Sequence, residues 1–276
     1  MKTVLSIQSQ VAGARVGNSV AAFAMERLGV QVLQLPTTIL GRRPDRGPPG
    51  GGPIPAETLQ SLIDGLTEDG RLDEIDAVLT GYVGDAEQVE VILDMVGRVK
   101  AANAEAIFVC DPVLGDDGKL FVSPSIADAV INGLAPNADW IAPNAYELGL
   151  LAGRAITDLD GARSMGRRLG KPLLASSIPS ETGVGVLYAA PGGDWFCETP
   201  RLPYAPKGAG DLLTALFLAR RLLNQPPAVA LEAATGAVYD VIVRSIAAQT
   251  EDLALPLAQD ALSDPVSWPQ ARALPV

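Results

Sequence analysis

Short runs of apolar residues alternate along this chain with longer segments in which apolar residues recur at helical spacing. The short runs predict buried strands, and the longer segments predict helices. The predicted strands are Val4–Ile7, Val30–Leu35, Ala77–Thr80, Ala106–Cys110, Trp140–Ala142, Pro172–Ala175, Gly185–Ala189 and Asp194–Cys197. The predicted helices are Ser19–Leu28, Ala56–Leu66, Ala86–Ala102, Ser125–Leu134, Ala145–Ala152, Asp158–Leu169, Ala209–Leu223 and Pro227–Ala248. Asn18 is predicted to cap the first helix, and Gly29 to end it.

This alternation predicts an α/β fold with a mostly parallel central β-sheet flanked by helices on both faces. No linker or internal repeat divides the sequence, so residues 1–276 are predicted to form a single domain. Gly41–Pro53 is rich in glycine and proline and has no periodic pattern, which predicts a flexible loop without regular structure. The tail, Glu251–Val276, is predicted to be partly irregular.

The composition excludes several classes of function. A net charge of −11 argues against binding along a nucleic-acid backbone, which needs a basic surface. The sequence contains no histidine, which excludes Ser-His-Asp and Cys-His catalysis and histidine-ligated zinc. Proton transfer must therefore fall to Asp, Glu, Lys, Tyr, Cys or water.

The cysteines and the length of the apolar runs indicate the cellular compartment in which we expect the protein. Cys110 and Cys197 stand too far apart for a zinc knuckle or a disulfide scaffold, and we expect buried thiols in a reducing compartment. The run Val4–Ile7 is too short for the apolar core of a signal peptide, and no run approaches the length of a membrane span. We therefore expect a cytoplasmic protein that binds neither membrane nor nucleic acid.

Polar clusters follow several of the predicted strands. In open parallel sheets, ligands bind beyond the carboxyl ends of the strands, so these clusters are expected to form a site at one edge of the sheet. The clusters are Gln8-Ser9, Thr80-Gly81-Tyr82, Asp111-Pro112, Asn144 to Glu147, and Ser176-Ser177.

The strongest local signal is Gly208-Ala209-Gly210-Asp211 at the start of a predicted helix. Free first-turn amides and the helix dipole form an anion site, beside which the Asp211 carboxylate is placed to accept a proton from an attacking hydroxyl. The alternative is an ordinary helix start with two turn glycines and an acidic residue that complements the dipole. The stretch lacks the full dinucleotide pattern, and neither Gly118-Lys119 nor Gly170-Lys171 completes a Walker A loop.

Three further carboxylate and amide side chains each have two interpretations. Asn144 and Glu147 form either a simple capping box or a site in which Glu147 binds Mg²⁺ beside nucleotide phosphates. Asp111 either ends a strand in a turn or supplies another oxygen near cation and phosphate. Asp116 and Asp117 are interpreted as solvated loop charges.

Taken together, many ordered segments resemble the pyridoxal kinase family of the ribokinase-like superfamily. The helix start at residues 208–211 is similar to the signature of that superfamily. The other segments that carry the resemblance are Leu5 to Ser9, Val16 to Ser19, Arg27 to Val30, Asp76 to Tyr82 with Gly84, Ala86 to Gln88, Val99 to Asn103, Cys110 to Gly115, Ala142 to Asn144 with Glu147 and Leu148, and Ala237 to Tyr239.

The resemblance implies a homodimeric, ATP- and Mg²⁺-dependent kinase that phosphorylates the 5′-hydroxymethyl group of pyridoxal, pyridoxine or pyridoxamine in vitamin B6 salvage. It leaves open a requirement for a monovalent cation such as K⁺. It also implies a role for each matching residue. These roles are Asp211 as catalytic base, the amides of Gly208, Ala209 and Gly210 on the transferring phosphoryl group, Asn144, Glu147 and Asp111 at Mg²⁺ and phosphates, Ser9 and Tyr82 at the pyridine ring, and Ser176 and Ser177 at the nucleotide. From its position alone, Lys207 is expected to contact a phosphate.

Two segments depart from the family pattern. Gln10 stands in the predicted substrate site where the family often has histidine. The flap, defined here as residues 41–53, carries no aromatic residue and instead has Arg42, Arg43 and Arg46, which either contact phosphates or form a solvated basic loop. A flap of this composition can exclude water as a lid.

Three hypotheses of function therefore remain open. The first is a pyridoxal kinase, the second is a hydroxymethylpyrimidine kinase of the same superfamily, and the third is a non-catalytic protein that binds B6 vitamers. The segments that discriminate between the two kinases are Ser9, Gln10, Tyr82 and the flap.

Overall fold

The computed structural model describes residues 1–181 and 183–275. The chain divides into two compact units, of which the first is Met1–Ile141 and the second begins at Ala142. The prediction that the whole chain forms one domain stays a prediction.

The first unit is built on a parallel sheet, as the alternating pattern predicts. Its elements are β1 (Thr3–Val11), α1 (Asn18–Arg27), β2 (Gln31–Leu40), β3 (Gly51–Pro53), α2 (Ala56–Glu68), β4 (Ala77–Thr80), α3 (Gln88–Ala102), β5 (Ile107–Cys110), β6 (Gly115–Asp116), β7 (Lys119–Leu120), α4 (Pro124–Ala129), α5 (Ala135–Asn137) and β8 (Trp140–Ile141). The strand order is β8-β5-β4-β1-β2-β3, and every neighbouring pair is parallel except β2 and β3.

The centre of this unit is β1, whose residues from Thr3 to Ser9 are all buried. A strand that is covered on both faces consists of a nearly continuous run of apolar residues, so the run Val4–Ile7 predicts this strand from sequence. The face of α1 that carries Ala21 and Met25 is fully buried, and α1 is followed by Gly29 in the left-handed conformation, with φ +82°.

The second unit combines antiparallel strands with two long helices. Its elements are α6 (Ala145–Ala152), α7 (Leu159–Leu169), β9 (Leu173–Pro179), β10 (Gly183–Ala190), β11 (Gly193–Pro200), α8 (Ala209–Leu222), α9 (Pro227–Ala247), α10 (Gln259–Ser263) and β12 (Arg272–Leu274). The strand order is β9-β10-β11-β12, and all three pairs are antiparallel. Residues 212–220 of α8 are all buried, and all of them except Thr214 and Arg220 are apolar, as expected of a helix that is enclosed on every side.

The prediction that Gly41–Pro53 has no regular structure is wrong. The segment forms a 3₁₀ turn at Pro44–Arg46 and then β3, which pairs antiparallel with residues Thr38–Leu40 of β2. Arg42 Nε donates to Pro48 O at 2.8 Å and so closes the loop on itself. Gly51 makes the pairing possible, since its φ is +80° and a Cβ there would lie 2.1 Å from Ile39 O.

Three local predictions also need correction. Asn18 does not cap α1, because Gly17 is the N-cap residue and makes no side-chain cap. Asp116 is not a loop residue, because it is half-buried in β6, which pairs with β7 through a turn at Asp117-Gly118. The helix predicted at Ser125–Leu134 is divided into α4 and a π-helical turn, Val130–Leu134.

Two other local predictions are confirmed. Asp117 lies exposed in the hairpin turn, as expected of a solvated loop charge. The tail is partly irregular, and it also contains α10 and β12, of which β12 extends the antiparallel strands.

No helix within residues 1–181 and 183–275 has both the length and the apolar character that a membrane crossing requires.

Candidate functional site

The carboxyl ends of β1, β4 and β5 meet at one edge of the first unit's sheet. Gly81 N donates to Ile7 O at 3.2 Å, and Asp111 N donates to Thr80 O at 2.9 Å, so the strands end in register. The structure therefore brings the predicted residues Ser9, Tyr82 and Asp111 to this edge, as parallel-strand topology requires.

Ser9 is held against the start of α1. The Ser9 side chain is buried, and a Cβ built on Gly17 would lie 2.5 Å from Ser9 Oγ and 2.4 Å from Ser9 O. Gly17 has a φ of +56°, a conformation that favours glycine. The β1–β2 register shifts between Gln8 and Gln10, so the irregularity lies at Ser9, and Gln10 is half-buried.

A buried amide network lies directly beneath this edge. Asn18 Nδ2 donates to Gln8 O at 3.2 Å and to Leu35 O at 3.3 Å, which joins β1 to β2. Ser6 Oγ donates to Asn18 Oδ1 at 2.7 Å and accepts from Gln8 Nε2 at 2.9 Å. The Asn18 amide is committed to these partners, which explains why it does not cap α1.

Tyr82 is half-buried in the loop after β4. Thr37 Oγ1 donates to Tyr82 O at 2.6 Å, which fixes the loop to β2. Burial raises the pKa of the Tyr82 phenol above its usual value of 10.0, so this side chain stays neutral near pH 7. Asp111 is buried, and its carbonyl accepts from Val113 N at 2.9 Å in a tight turn through Pro112.

In the second unit, the predicted capping box at the start of α6 is confirmed. Glu147 N donates to Asn144 Oδ1 at 2.9 Å, and Asn144 N donates to Glu147 Oε2 at 2.9 Å. Asn144 also forms a parallel bridge with Ser176, whose N donates to Pro143 O at 3.0 Å. Ser177 follows in the left-handed region with a φ of +58° and is exposed. The structure thus brings Asn144, Glu147, Ser176 and Ser177 together.

The start of α8 is a helix N-terminus with a glycine cap, which fits both interpretations of residues 208–211. Gly208 is the N-cap with a φ of +95°, and the first helical hydrogen bond runs from Leu212 N to Gly208 O at 2.9 Å. The amides before that bond include those of Ala209 and Gly210, and the space beside Gly210 is open. Asp211 lies half-buried in the first turn of α8. The backbone of Lys207 forms an isolated parallel β-bridge with the backbone of Asp252.

The carboxylates suit a hard cation, although among residues 1–181 and 183–275 no group of three or more potential metal ligands occurs. Mg²⁺ is usually held by one or two carboxylates together with substrate phosphates and water. The buried carboxylate of Glu147, fixed in direction by the capping box, fits this pattern.

Two of the flap arginines, Arg42 and Arg43, hydrogen-bond within the flap itself. Arg43 Nε and Nη2 donate to the two carboxylate oxygens of Asp45 at 3.0 and 2.8 Å. These bonds lower the pKa of Asp45 below its usual value of 3.8. The prediction that Arg42, Arg43 and Arg46 contact phosphates stays a prediction.

Sequence reasoning placed Gln8 in one of the polar clusters at this edge but assigned no role to Gln88, and both side chains are fully or almost fully buried. The available signal for Gln88 was an amide at the first residue of an amphipathic helix.

Comparison with known proteins gives one consistent family. Residues 24–255 match the family model described as phosphomethylpyrimidine kinase. The chain is 37% identical over 280 residues to a pyridoxal kinase PdxY of Rubrobacter xylanophilus, covering 98% of this chain and 97% of that protein. It is 36% identical to a pyridoxal kinase PdxY of Pseudomonas aeruginosa, covering 95% of each chain.

Solved structures agree in fold. The pyridoxal kinase of Entamoeba histolytica superposes with a TM-score of 0.92 at 23% identity, over 99% of this chain and all of that one. The pyridoxal kinase of Leishmania donovani in complex with ADP and pyridoxamine has a TM-score of 0.92 at 26% identity, over 100% of both chains. The predicted fold class, a mostly parallel central sheet with flanking helices, is thereby confirmed.

Proposed function

The chain belongs to the pyridoxal kinase family, and we propose that it transfers the γ-phosphoryl group of ATP to the 5′-hydroxymethyl group of pyridoxal, pyridoxine or pyridoxamine through the residues described above. The relatives named pyridoxal kinase match 95–98% of the chain, and a structural neighbour carries ADP with pyridoxamine, which supports both substrates.

One observation carries the catalytic assignment. At the start of α8, Gly208 adopts a left-handed conformation and Asp211 lies in the first helical turn. In our proposal, the Asp211 carboxylate accepts the proton of the 5′-hydroxyl as that oxygen attacks phosphorus in line with the leaving group. The amides of Gly208, Ala209 and Gly210 stabilise the charge that spreads over the transferring phosphoryl oxygens.

The residues of the first unit provide the vitamer contacts in this proposal. Ser9 Oγ hydrogen-bonds to the pyridine ring, and Tyr82 forms one wall of the ring pocket. Gln10, half-buried beside Ser9, adds an amide to these contacts. The flap acts as a lid that excludes water, and β3 is the part that attaches it to the sheet.

The nucleotide contacts are assigned mainly to the second unit. Asn144, Ser176 and Ser177, which the structure brings together, take the nucleotide and its phosphates. Lys207, directly before Gly208, neutralises a phosphate.

Glu147 and Asp111 are the residues that would hold Mg²⁺. When bound, the ion neutralises phosphate charge and orients the transferring group. Both side chains are buried oxygen donors, and Glu147 is fixed in direction by Asn144. A requirement for a monovalent cation such as K⁺ stays a prediction.

The proposal is tested by ADP release with ATP, Mg²⁺ and a panel of acceptors: pyridoxal, pyridoxine, pyridoxamine, hydroxymethylpyrimidine and no acceptor. We expect release that depends on a B6 vitamer, and a fall in kcat of about 10² to 10⁴ in Asp211→Asn with little change in ATP affinity. Near-normal turnover in Asp211→Asn would contradict the assignment of the base.

A hydroxymethylpyrimidine kinase is the second candidate, because the matching family model is described as phosphomethylpyrimidine kinase. Release with the pyrimidine alone would favour it. Vitamer binding by calorimetry without any ADP release would instead favour a non-catalytic binder.

We further propose a homodimer located in the cytoplasm, with residues 1–276 acting as one kinase domain. Cys110 and Cys197 are buried and form no disulfide, as is usual in a reducing compartment. Sedimentation equilibrium tests the dimer, and fractionation of cells tests the location.

A further inference from the structure

Gln88 is a fully buried amide at the first residue of α3, and it hydrogen-bonds to three separate segments of the first unit. Its Nε2 donates to Thr37 O at 2.7 Å and to Ile54 O at 2.6 Å. Its Oε1 accepts from Gly84 N at 3.0 Å and from Asp85 N at 3.3 Å. Because a primary amide has two donor hydrogens and two acceptor lone pairs, the hydrogen-bonding capacity of this side chain is fully used.

The three segments are the ones that surround the proposed vitamer contact. Thr37 lies in β2 shortly before the flap, and Ile54 directly follows its last residue. Gly84 and Asp85 stand two and three positions after Tyr82 in the same loop. One side chain therefore joins the base of the flap to the loop that carries Tyr82.

The segments are also packed too closely to move independently. Thr37 links them a second time, because its Oγ1 donates to Tyr82 O at 2.6 Å and its carbonyl accepts from Ile54 N at 2.8 Å. A Cβ on Gly84 would lie 2.1 Å from Thr38 Oγ1 and 2.9 Å from Pro53 Cβ. A shift of the Tyr82 loop must therefore shift the flap base as well.

Neither leucine nor glutamate at position 88 would keep all four of the hydrogen bonds that Gln88 makes. Leucine would leave two carbonyls and two amides without the partners that Gln88 supplies. An ionised glutamate would still accept from Gly84 and Asp85, but its oxygens would face the carbonyls of Thr37 and Ile54. The helix itself is held independently, since α3 also buries Ile92, Met95 and Val99.

We propose that Gln88 is a positioning residue for vitamer phosphorylation. It fixes the Tyr82 loop, which is the wall of the proposed vitamer pocket, in position relative to the base of the flap, which is the proposed lid. The inference rests on the proposed function, because it takes Tyr82 and the flap to enclose the vitamer. Loss of Gln88 is therefore expected to change the KM for the vitamer and not the KM for the nucleotide.

The test compares full-length wild type with Gln88→Leu and with Ile92→Ala as a matched control on the same helix. Gln88→Leu is expected to raise the KM for pyridoxal about tenfold and to leave the KM for ATP within about twofold. Ile92→Ala removes fully buried apolar volume but no side-chain hydrogen bond, so it is expected to lower Tm and to leave the pyridoxal KM unchanged.

Two further readouts separate positioning from general destabilisation. In Gln88→Glu, kcat/KM for pyridoxal relative to wild type should rise as the pH falls from about 8 to about 6, because a protonated carboxyl regains one donor. In Gln88→Leu, hydrogen exchange should accelerate at the amides of Gly84 and Asp85 and stay unchanged in β1. If Gln88→Leu does not fold, the same comparisons are made with Gln88→Glu.

The outcomes distinguish this inference from the proposed function. Wild-type vitamer kinase activity with an unchanged pyridoxal KM in Gln88→Leu would overturn the positioning role alone. Changes in KM and Tm that match those of Ile92→Ala would also overturn it. If wild type phosphorylates no vitamer, the proposed function fails, and the exchange rates at Gly84 and Asp85 decide whether Gln88 holds the loop.

Discussion

The side chains of Asn144 and Glu147 cap each other's backbone, with both N–H···O distances at 2.9 Å. The Glu147 side chain therefore has two separable properties: it accepts a hydrogen bond that stabilises the start of α6, and it is a buried carboxyl group with oxygen atoms that a cation can bind. A structural role needs only the first property, whereas Mg²⁺ binding needs the second.

Substitution of Glu147 by glutamine or alanine separates these roles. Glu147→Gln keeps an acceptor for Asn144 N and is expected to keep the wild-type Tm while raising the Mg²⁺ concentration needed for half-maximal activity. Glu147→Ala loses the cap as well, which lowers the free energy of unfolding by about 1 kcal/mol. Thermal melts and Mg²⁺ titrations measure both effects. An unchanged Mg²⁺ titration in Glu147→Gln would leave Glu147 a capping residue only.

A methyl group at Gly17 should displace Ser9. The added Cβ would lie 2.5 Å from Ser9 Oγ at a φ of +56°, so Gly17→Ala is expected to destabilise the protein by more than about 1 kcal/mol and to raise the pyridoxal KM. Gly97→Ala in α3 is the control, because nothing lies within 4 Å of its Cβ position, and it should stabilise by about 0.5–1 kcal/mol. Urea unfolding and steady-state kinetics test both variants, and a wild-type KM in Gly17→Ala would remove Ser9 from the vitamer site.

Two adjacent glycines test the flap as a lid. In Gly51→Ala the Cβ would lie 2.1 Å from Ile39 O, so β3 must separate from β2, whereas Gly52→Ala meets nothing within 4 Å. Gly51→Ala should raise the pyridoxal KM and increase ATP hydrolysis in the absence of acceptor relative to phosphoryl transfer, because water is no longer excluded. Gly52→Ala should behave as wild type. Equal kinetics for the two variants would argue that the flap does not act as a lid.

The Cys197 thiol should resist alkylation in the folded protein. Burial raises its pKa from an ordinary value of 9.0 to about 12, and its Sγ donates to Pro269 O at 3.1 Å. The thiol of the unfolded chain ionises first as the pH rises, so this group's contribution to stability is complete below about pH 9 and is lost between about pH 9 and 12. Iodoacetamide at about pH 9, followed by mass spectrometry, should modify Cys197 only after addition of denaturant. Modification in the folded state would contradict this burial.

The elements that sequence predicts well are those whose periodicity is set by burial. The helix at Ala145–Ala152 has the predicted bounds, and Ala77–Thr80 is a strand from end to end. The start of α8 is also found, because a glycine pair before an acidic first turn has few structural interpretations. Such signals are local, so one segment of sequence is sufficient to read them.

The features that sequence does not predict depend on distant partners. Asn18 looks like a cap, yet its amide binds Ser6, Gln8 and Leu35, and this network exists only once β1, β2 and α1 have assembled. Gly51–Pro53 has poor strand propensity and becomes a strand only because β2 offers it an unpaired edge. Gln88 is missed for the same reason, since the two carbonyls to which it donates, those of Thr37 and Ile54, lie in segments remote in the chain.

The pairing of β3 with β2 also bears on solubility. Without β3, the backbone of Thr38–Leu40 would form an open sheet edge beside Ile39, an exposed apolar side chain, and open edges of this kind pair with other chains. The covering strand, Gly51-Gly52-Pro53, is itself short and ends in a proline that has no N–H to donate, so it offers little to a further strand. A molecule whose flap has separated from β2 is therefore expected to aggregate edge to edge, so the segment that we propose as a lid also covers this edge of the sheet.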